Sequence, residues 1–358
     1  MVIEMTTRRH ILAGLAASLA MPRVSWADVG SPVALAAGKR GDDFLLHGLS
    51  AAGESLFQIA LPARGHAAAA HPTRAEAVAF ARRPGTFALV IDCRTGTVLR
   101  HLTPPQGRQF NGHGVFSADG SRLMTSEVVA ETSQGRVGLW DTATYTRIGE
   151  WPSHGIGPHD IKRRSDGSLV IANGGIRTDP QDRSKLNLDA MAPNLTVLSA
   201  TGALLDQAVL GPDLQQNSIR HLALLPGGAL AFAMQWEGDA ALDVPQLGLW
   251  SPGTVPLPKP PRQQEAFAMK GYAGSIAANA AGDLLALTSP KGGVVMLFDG
   301  TGQPVTTHLR ADASGVAAGP GGFLVTDGQG AVWSCDAARM TLLARHDTLW
   351  DNHLIALA

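Results

Sequence analysis

The amino-acid sequence predicts an all-β fold, a seven-bladed β-propeller that is closed by its C-terminal strand pairing into blade 1. Two observations carry this prediction: one strand pattern recurs seven times, and glycine turns recur between its copies. The chain has 358 residues, of which 41 are Gly and 22 are Pro, and this content favours many turns over long helices.

The recurring pattern is a short apolar strand that most often ends in Asp or Ser. Its copies occupy residues 43–48, 87–92, 136–141, 194–199, 246–251, 294–299 and 331–336. The turn glycines between them, Gly120, Gly167, Gly228, Gly282 and Gly322, follow one another at intervals of 40 to 61 residues. A four-stranded unit that repeats every ~40–50 residues is typical of a propeller blade. We therefore expect residues 28–358 to form a single propeller.

The two ends of the chain are predicted to complete one blade together. Residues 32–61 have room for three strands only, whereas residues 352–357 read as an inner strand with no blade after it. An unpaired strand edge invites aggregation. We therefore expect the C-terminal segment to supply the inner strand of blade 1.

Composition excludes several classes of protein. Apolar residues make up 45% of the chain and charged residues 16%, which argues against a disordered chain. The 29 Lys and Arg nearly balance the 30 Asp and Glu, so there is no basic field for a nucleic-acid partner. The two cysteines, Cys93 and Cys335, cannot form a disulfide framework, and we expect two free thiols. We also expect a monomer without a membrane anchor.

Residues 1–27 read as an export signal of the twin-arginine type. Arg8 and Arg9 precede an apolar stretch over residues 11–21, which is too short to span a bilayer of ~30 Å. Ser25 and Ala27 then supply the small residues of a cleavage site. The alternative is an ordinary secretory signal with two arginines by chance. Either signal predicts a periplasmic location.

Histidines occupy a repeated position near the start of the predicted inner strands. They are His66, His113, His159, His221 and His353, from five different blades, whereas blades 6 and 7 have Ser275 and Gly315 near this place. Radial symmetry predicts that these imidazoles converge at one mouth of the central channel. The alternative is that each histidine makes a hydrogen bond within its own blade, as in WD-type repeats.

A shared histidine site would suit a transition metal. Neutral imidazole binds iron, copper, zinc or nickel, whereas calcium and magnesium prefer oxygen ligands. Of these four metals, iron or copper is the expected cofactor. The carboxylates of Glu127, Asp160 and Asp351 lie in or beside segments that face the same end, where they could support the ligands.

A long insertion over residues 174–191 separates two strands of blade 4. Because it joins the second and third strands, it lies at the same end as the histidines and could form a lid. Arg177, Arg183 and Lys185 of the insertion, together with Arg220, would supply donors for an anion there. The alternative is a solvated loop with ordinary charges.

Seven segments carry a family resemblance: residues 64–66, 81–85, 111–114, 157–160, 171–176, 218–222 and 350–353. Together they resemble a family of Tat-exported bacterial β-propellers of unknown function, within the YVTN/WD40-like and quinoprotein amine dehydrogenase-like superfamily. Genes of that family commonly neighbour those of imelysin-type periplasmic iron-uptake proteins and a di-haem peroxidase-like protein. The resemblance implies a role in iron acquisition or metal handling, with an imelysin-like partner.

Three functions remain open at the level of sequence. The first is a periplasmic propeller that binds a transition metal or a haem-related ligand through its histidines. The second is a non-catalytic scaffold for protein interactions, and the third is a metal-dependent redox enzyme. The sequence has no recognisable Ser–His–Asp motif or nucleotide-binding motif, so binding is favoured over catalysis.

Overall fold

Seven four-stranded antiparallel sheets form the protein, as a computed structural model shows for residues 24–83 and 85–357. From the channel outward, blade 1 consists of β28 (Leu349–Ala356), β1 (Ala34–Arg40), β2 (Asp43–Leu49) and β3 (Ser55–Leu61). Blade 2 consists of β4 (Gly65–Ala70), β5 (Glu76–Ala81), β6 (Ala88–Asp92) and β7 (Thr97–Leu102). Blade 3 consists of β8 (Arg108–Phe116), β9 (Arg122–Val129), β10 (Gln134–Asp141) and β11 (Thr146–Ile156).

The remaining four blades repeat the same order. Their strands are β12 (Pro158–Arg163), β13 (Leu169–Asn173), β14 (Asn194–Leu198) and β15 (Leu204–Val209); β16 (Asn217–Leu224), β17 (Leu230–Trp236), β18 (Leu247–Trp250) and β19 (Leu257–Lys259); β20 (Ser275–Ala278), β21 (Leu284–Ser289), β22 (Val294–Asp299) and β23 (Pro304–Leu309); and β24 (Ala313–Gly319), β25 (Gly322–Asp327), β26 (Ala331–Cys335) and β27 (Met340–Arg345). The predicted all-β, seven-bladed architecture is confirmed.

Helical structure in the described residues is limited to short 3-10 turns. They are Trp26–Val29, Leu188–Ala190, Pro212–Leu214, Pro226–Gly228 and Gln263–Glu265. None of the described helices has the length and apolar character needed to cross a membrane.

Burial between neighbouring blades forms the core. Apolar clusters lie at each blade-to-blade contact around the ring, and each cluster combines alternate residues from the facing sheets. Phe80, Phe232 and Phe298 are fully buried in three of these clusters. The innermost strands contact one another in ring order, so residues at matching positions on them meet around the channel. Cys93 and Cys335 are buried free thiols, as predicted.

The C-terminal strand closes the ring as predicted. β28 pairs antiparallel with β1, with Leu35 opposite Ile355 and Ala36 opposite Leu354. It also packs against β24 of blade 7 on one side and β4 of blade 2 on the other. The last strand of the chain is therefore the innermost strand of the first blade.

Most of the predicted signal peptide, residues 1–23, lies outside the described residues. The segment that follows contacts the propeller. Val24 and Trp26 pack on the apolar cluster between blades 1 and 2. The Trp26 indole donates a hydrogen bond of 2.8 Å to the backbone carbonyl of His71.

Candidate metal centre

Four histidines from four different blades meet in the channel. The ring nitrogens of His66, His113, His159 and His353, one from each residue, all lie within 4.8 Å of one another. Nitrogens at ~2.0–2.1 Å from one ion lie ~3.4 Å apart in a tetrahedral site and ~4.2 Å apart where two ligands are opposite one another. At up to 4.8 Å, the four nitrogens are therefore about 0.6 Å wider apart than opposite ligands of one ion and about 1.4 Å wider apart than tetrahedral ligands.

The fifth predicted histidine borders this group. The ring centroid of His221 lies 4.8 Å from that of His159 and 4.8 Å from that of His353. His221 does not belong to the group of four histidines whose ring nitrogens lie within 4.8 Å of one another. The five histidines named from sequence are thus brought together, four as a potential ligand set and His221 beside them.

An irregularity in the strand aims each histidine at the axis. The register of every inner strand that carries one shifts at or next to the histidine, as at His159, which is the extra residue between Pro158 and Asp160. The shifts of β4, β8, β16 and β28 fall at the matching places. A bulge turns a side chain away from the ordinary alternation of a strand. His66 and His159 are the second residues of β4 and β12, near the strand starts expected from sequence, whereas the other three histidines lie further along β8, β16 and β28.

Glycines make room for this convergence. Gly112 has a φ of +96°, and a Cβ at this position would lie 2.5 Å from Cδ2 of His66. In blade 7, a Cβ on Gly315 would lie 2.8 Å from the backbone nitrogen of Leu354 on the closing strand. The channel has no space at Gly315 for a side chain, which explains why blade 7 carries no histidine there.

The ring contacts connect blades instead of staying within them. Nε2 of His66 and Nε2 of His353 are 3.1 Å apart, so one ring donates and the other accepts. Nδ1 of His113 lies 3.3 Å from Oδ1 of Asp160 in the next blade. For these three rings, the polar partners of the imidazole therefore belong to other blades.

Several buried ring nitrogens have no hydrogen-bond partner in the described part of the chain. They are Nδ1 of His66, Nε2 of His113 and Nδ1 of His159. A buried polar atom without a partner costs about 1–3 kcal/mol, so three in one cluster need a physical reason. A metal ion bound by these nitrogens would supply one.

The protonation state also suits a metal. Burial, followed by the neighbouring histidines, lowers the pKa of His66, His159 and His353 well below the ordinary value. Burial lowers the pKa of His221 to about 3. Imidazole must be neutral to bind a metal, and these rings are neutral at physiological pH.

Asp160 is one of the three carboxylates named from sequence, and it lies against His113. Its carboxylate accepts hydrogen bonds from the backbone amides of Ile161 at 2.8 Å and Leu222 at 2.9 Å. Burial acts to raise the pKa of Asp160, but Lys162 and His113 outweigh it and hold the pKa below its usual range. A carboxylate on the far nitrogen of a ligating histidine fixes the ring and raises its basicity.

A basic cavity of about 210 Å³ opens above the histidines. Its walls include His66, His159, His221 and His353. Its cationic residues, which we call the basic cavity residues, are Arg82, Arg83, Arg183, Lys185, Arg220 and Lys291. Glu237 is the one acidic residue in the described lining. Burial, together with Arg220, Arg183 and Arg82, lowers the pKa of Arg83 to about 9, so the positive charges disfavour one another.

The insertion of blade 4 reaches this cavity. It joins β13 to β14, and a bridge between Thr178 and Lys185 makes it a short hairpin. Lys185 forms an ion pair with Glu237 of blade 5. Arg183 and Arg220 both line the cavity, whereas Arg177 is exposed and is not among the lining residues.

Two carboxylates named from sequence lie elsewhere. Glu127 is buried inside blade 3, where it forms an ion pair of 2.7 Å with Arg147 and accepts a hydrogen bond from Thr125. Asp351 acts one step away from the cavity, since it pairs with Arg64 at 2.6 Å and with Arg82 at 3.5 Å. The structure therefore brings Asp160 to the histidines directly and Asp351 through Arg82.

Sequence reasoning missed part of the cavity: Arg82, Arg83, Trp236, Glu237, Tyr272 and Lys291. Most of its charged members follow the second strand of a blade. Arg82 and Arg83 do so in blade 2, Glu237 in blade 5 and Lys291 in blade 6. The same positional argument that found the histidines, applied to these turns, would have found them.

The comparison with known families agrees with the fold. The profile of a family described as "Protein of unknown function (DUF1513)" matches residues 59–357. The chain belongs to the DUF1513 family. No curated protein sequence matches this DUF1513 protein.

Solved structures share its architecture at low sequence identity. Hydrazine synthase of Kuenenia stuttgartiensis aligns with a TM-score of 0.59 and 13% identity, covering 86% of the DUF1513 protein and 90% of that chain. The WD40 repeats of RRP9 align with a TM-score of 0.57 and 14% identity, covering 78% and 80%. A chain of a mitotic checkpoint complex aligns with a TM-score of 0.54 and 13% identity, covering 77% and 75%. At these identities the likeness establishes the propeller fold alone.

Proposed function

We propose that this protein binds one transition-metal ion in its channel through His66, His113, His159 and His353. The observation that carries the proposal is the group of four ring nitrogens within 4.8 Å of one another. The unpartnered nitrogens of three of these rings and the carboxylate on His113 support it. Imidazole ligands favour iron, copper, zinc or nickel, of which iron or copper is the expected ion.

The cavity above the ring favours an ion over a haem-related ligand. Its volume of about 210 Å³ is smaller than the ~300–1,000 Å³ of pockets that enclose drug-sized ligands. An ion with a small co-ligand fits this space.

The cellular role that we propose is periplasmic metal handling in iron acquisition. It is supported by the signal-like segment over residues 1–27 and by the family resemblance with its imelysin-type gene neighbours. Metal analysis of the protein recovered from its native periplasm tests this role. Bound iron would support iron handling, and stoichiometric bound copper or zinc would contradict it.

Metal titration of the purified full chain tests the site. Fe(II), Cu(II), Ni(II) and Zn(II) are titrated separately into chelator-treated protein by calorimetry. We expect one ion per chain for at least one of these metals. The variant His66→Gln/His159→Gln should bind that metal at least about 100-fold more weakly, because two of four ligands are lost.

A matched variant controls for the loss of two histidines. His101 and His154 are exposed, so His101→Ala/His154→Asn should bind metal like the wild type. Thermal unfolding of all three proteins shows whether the fold is retained. A wild type that binds none of the four metals, or a site variant that binds like the wild type, would favour the interaction-scaffold alternative.

A further inference from the structure

The entrance to the histidine site has the wrong charge for a bare cation. Six cationic residues line it, and the acidic groups that meet them are Glu237 and, through Arg82, Asp351. Like charges in a partly buried cleft repel one another and any approaching cation. A site that bound only a naked metal ion would be poorly served by this lining.

Several of the basic cavity residues have donors to spare. In the described part of the chain, the guanidinium groups of Arg83 and Arg183 have no ion-pair partner within 4.0 Å. Lys291 lies 4.6 Å from the centroid of the Tyr272 ring, where a cation is stabilised without being neutralised.

Arg220 is a second observation, besides the excess of positive charge, that indicates a bound anion. It is only 5% exposed, it lines the cavity, and its Nε has no hydrogen-bond partner in the described structure. Its nearest acidic group is Glu237, at 4.0 Å from Nη2, and Lys185 also pairs with that carboxylate. A buried guanidinium is stable when an anion accepts from its planar fork.

We propose that the basic cavity residues bind a small, multiply charged oxyanion, which takes a free coordination position on the metal ion below it. This inference rests on the proposed metal site, because His66, His159, His221 and His353 form the cavity wall beside the cations. The ligand class is a di- or tricarboxylate or a phosphate, the groups that arginine forks bind in pairs of hydrogen bonds. The anion offsets the excess positive charge of both the arginines and the ion.

The size of the cavity limits the anion. A volume of about 210 Å³ has room for a few water-sized groups and excludes ligands of drug size. The insertion contributes Arg183 and Lys185 and is tied to blade 5 through Glu237, so it forms part of the wall. The anion is therefore a small molecule, and it is held between blades 2, 4, 5 and 6.

Anion titrations of the full chain test the proposal. Malonate and inorganic phosphate are the probes, acetate is the singly charged comparison, and each is titrated by calorimetry into the metal-free and the Cu(II)-loaded protein. We expect malonate or phosphate to bind the loaded protein more tightly than the metal-free protein and to change its copper EPR spectrum. Binding should weaken as NaCl is raised. The probe that binds more tightly shows whether the cavity prefers a carboxylate or a phosphate group.

Paired charge-removing variants localise the anion. Arg83→Gln/Arg183→Gln should weaken anion binding by at least about tenfold, since each arginine contributes charge-assisted hydrogen bonds. Arg94→Gln/Arg177→Gln removes the same charge from exposed residues outside the cavity and should change it by less than about twofold. Equal losses in both variants would overturn the proposed location.

Metal and anion are measured separately so that the two proposals fail in different ways. A protein that takes up Cu(II) but neither binds these anions nor changes its EPR spectrum would overturn this inference and leave the metal site standing. A protein that binds no metal would overturn the coordination step together with the metal site, even if malonate still bound the arginines.

Discussion

Asp160 connects three blades through one carboxylate. It belongs to β12 of blade 4, contacts His113 of blade 3 and accepts the amide of Leu222 from blade 5. It is only 3% exposed, so its charge depends on these partners and on Lys162 at 3.6 Å. The residue serves the histidine site and the ring at once.

We expect Asp160→Asn to lower both the stability of the fold and the affinity for a metal ion. One carboxamide oxygen cannot replace two carboxylate oxygens, so Lys162 loses its counter-charge and His113 loses a charged hydrogen-bond acceptor. The Lys162 side chain is 34% exposed, so solvent screens its pair with Asp160, and we expect a loss of about 1–3 kcal/mol from the buried partners that no longer have an acceptor. Losing a carboxylate behind a metal ligand weakens metal binding by about 10–100-fold. Urea unfolding and metal calorimetry measure the two effects. Asp213→Asn, at an exposed aspartate between blades 4 and 5, should change neither.

The sequence predicted which histidines converge but not how they are aimed. Equivalent positions in repeated strands were sufficient to group His66, His113, His159, His221 and His353. A bulge depends on how two strands pair, and the residues around His66 and His113 carry no local sequence signal for the register shifts found there. From its position along the chain, Glu127 is expected near the histidines. That position does not reveal the ion pair with Arg147, which holds Glu127 inside blade 3.

At the scale of elements, the closing strand β28 makes two kinds of contact, one by backbone pairing and one by packing between blades. It covers the inner edge of β1, and it fills the gap between β24 and β4. Trp350 and Leu354 are each 4% exposed and belong to the apolar cluster between blades 7 and 1. The closure therefore depends on both backbone pairing and burial.

Deleting residues 352–358 should prevent formation of a stable ring. The deletion exposes the edge of β1 and opens the cluster between blades 7 and 1, and unpaired edges promote aggregation. We expect the truncated chain to elute as aggregate in size-exclusion chromatography and to lose its cooperative thermal transition. An unchanged melting temperature would disprove the role of the clasp.

Point variants on the same strand measure what side-chain burial contributes while the backbone pairing of β28 is kept. Leu354→Ala should keep the fold but lower the free energy of unfolding by about 2–5 kcal/mol, the cost of a cavity in the core. Leu349 is 56% exposed, so Leu349→Ala should cost less than about 0.5 kcal/mol.

The strands were predictable because each apolar run is bounded by a turn that the sequence shows. The closure was predictable by counting, since three strands remained at one end and one at the other. The role of the insertion was less accessible. Its path over the cavity depends on contacts between distant residues, such as Lys185 with Glu237 and Ser133 with Thr178.

At the scale of the whole molecule, burying several imidazoles in one channel links stability to pH. His66, His159, His221 and His353 have pKa values lowered in the folded state, chiefly by burial. In the unfolded chain they titrate near the ordinary value of ~6.5. Below that pH the unfolded state binds more protons, so stability decreases as pH falls.

We expect metal-free protein to lose stability between pH 7 and pH 5. Each of the four rings contributes up to about 1.4 kcal/mol per pH unit below ~6.5. Asp160, held by Lys162 and His113, stays ionised throughout this range and does not cause the loss. Urea unfolding at pH 7, 6 and 5 measures the slope, and His66→Gln/His159→Gln should show a shallower one. A urea midpoint that is the same at all three pH values would contradict the burial of neutral imidazoles in the channel.

The position of β28 also sets the order in which the histidine group is completed during synthesis. A chain is made from its N-terminus, so the strand that closes blade 1 is synthesised after the other strands of the propeller. His353 belongs to that strand, so one of the four proposed ligands arrives after the other three. A chain that stops before β28 has an open ring and an incomplete histidine group at the same time. Closure of the propeller and assembly of the four histidines therefore both wait for the same strand.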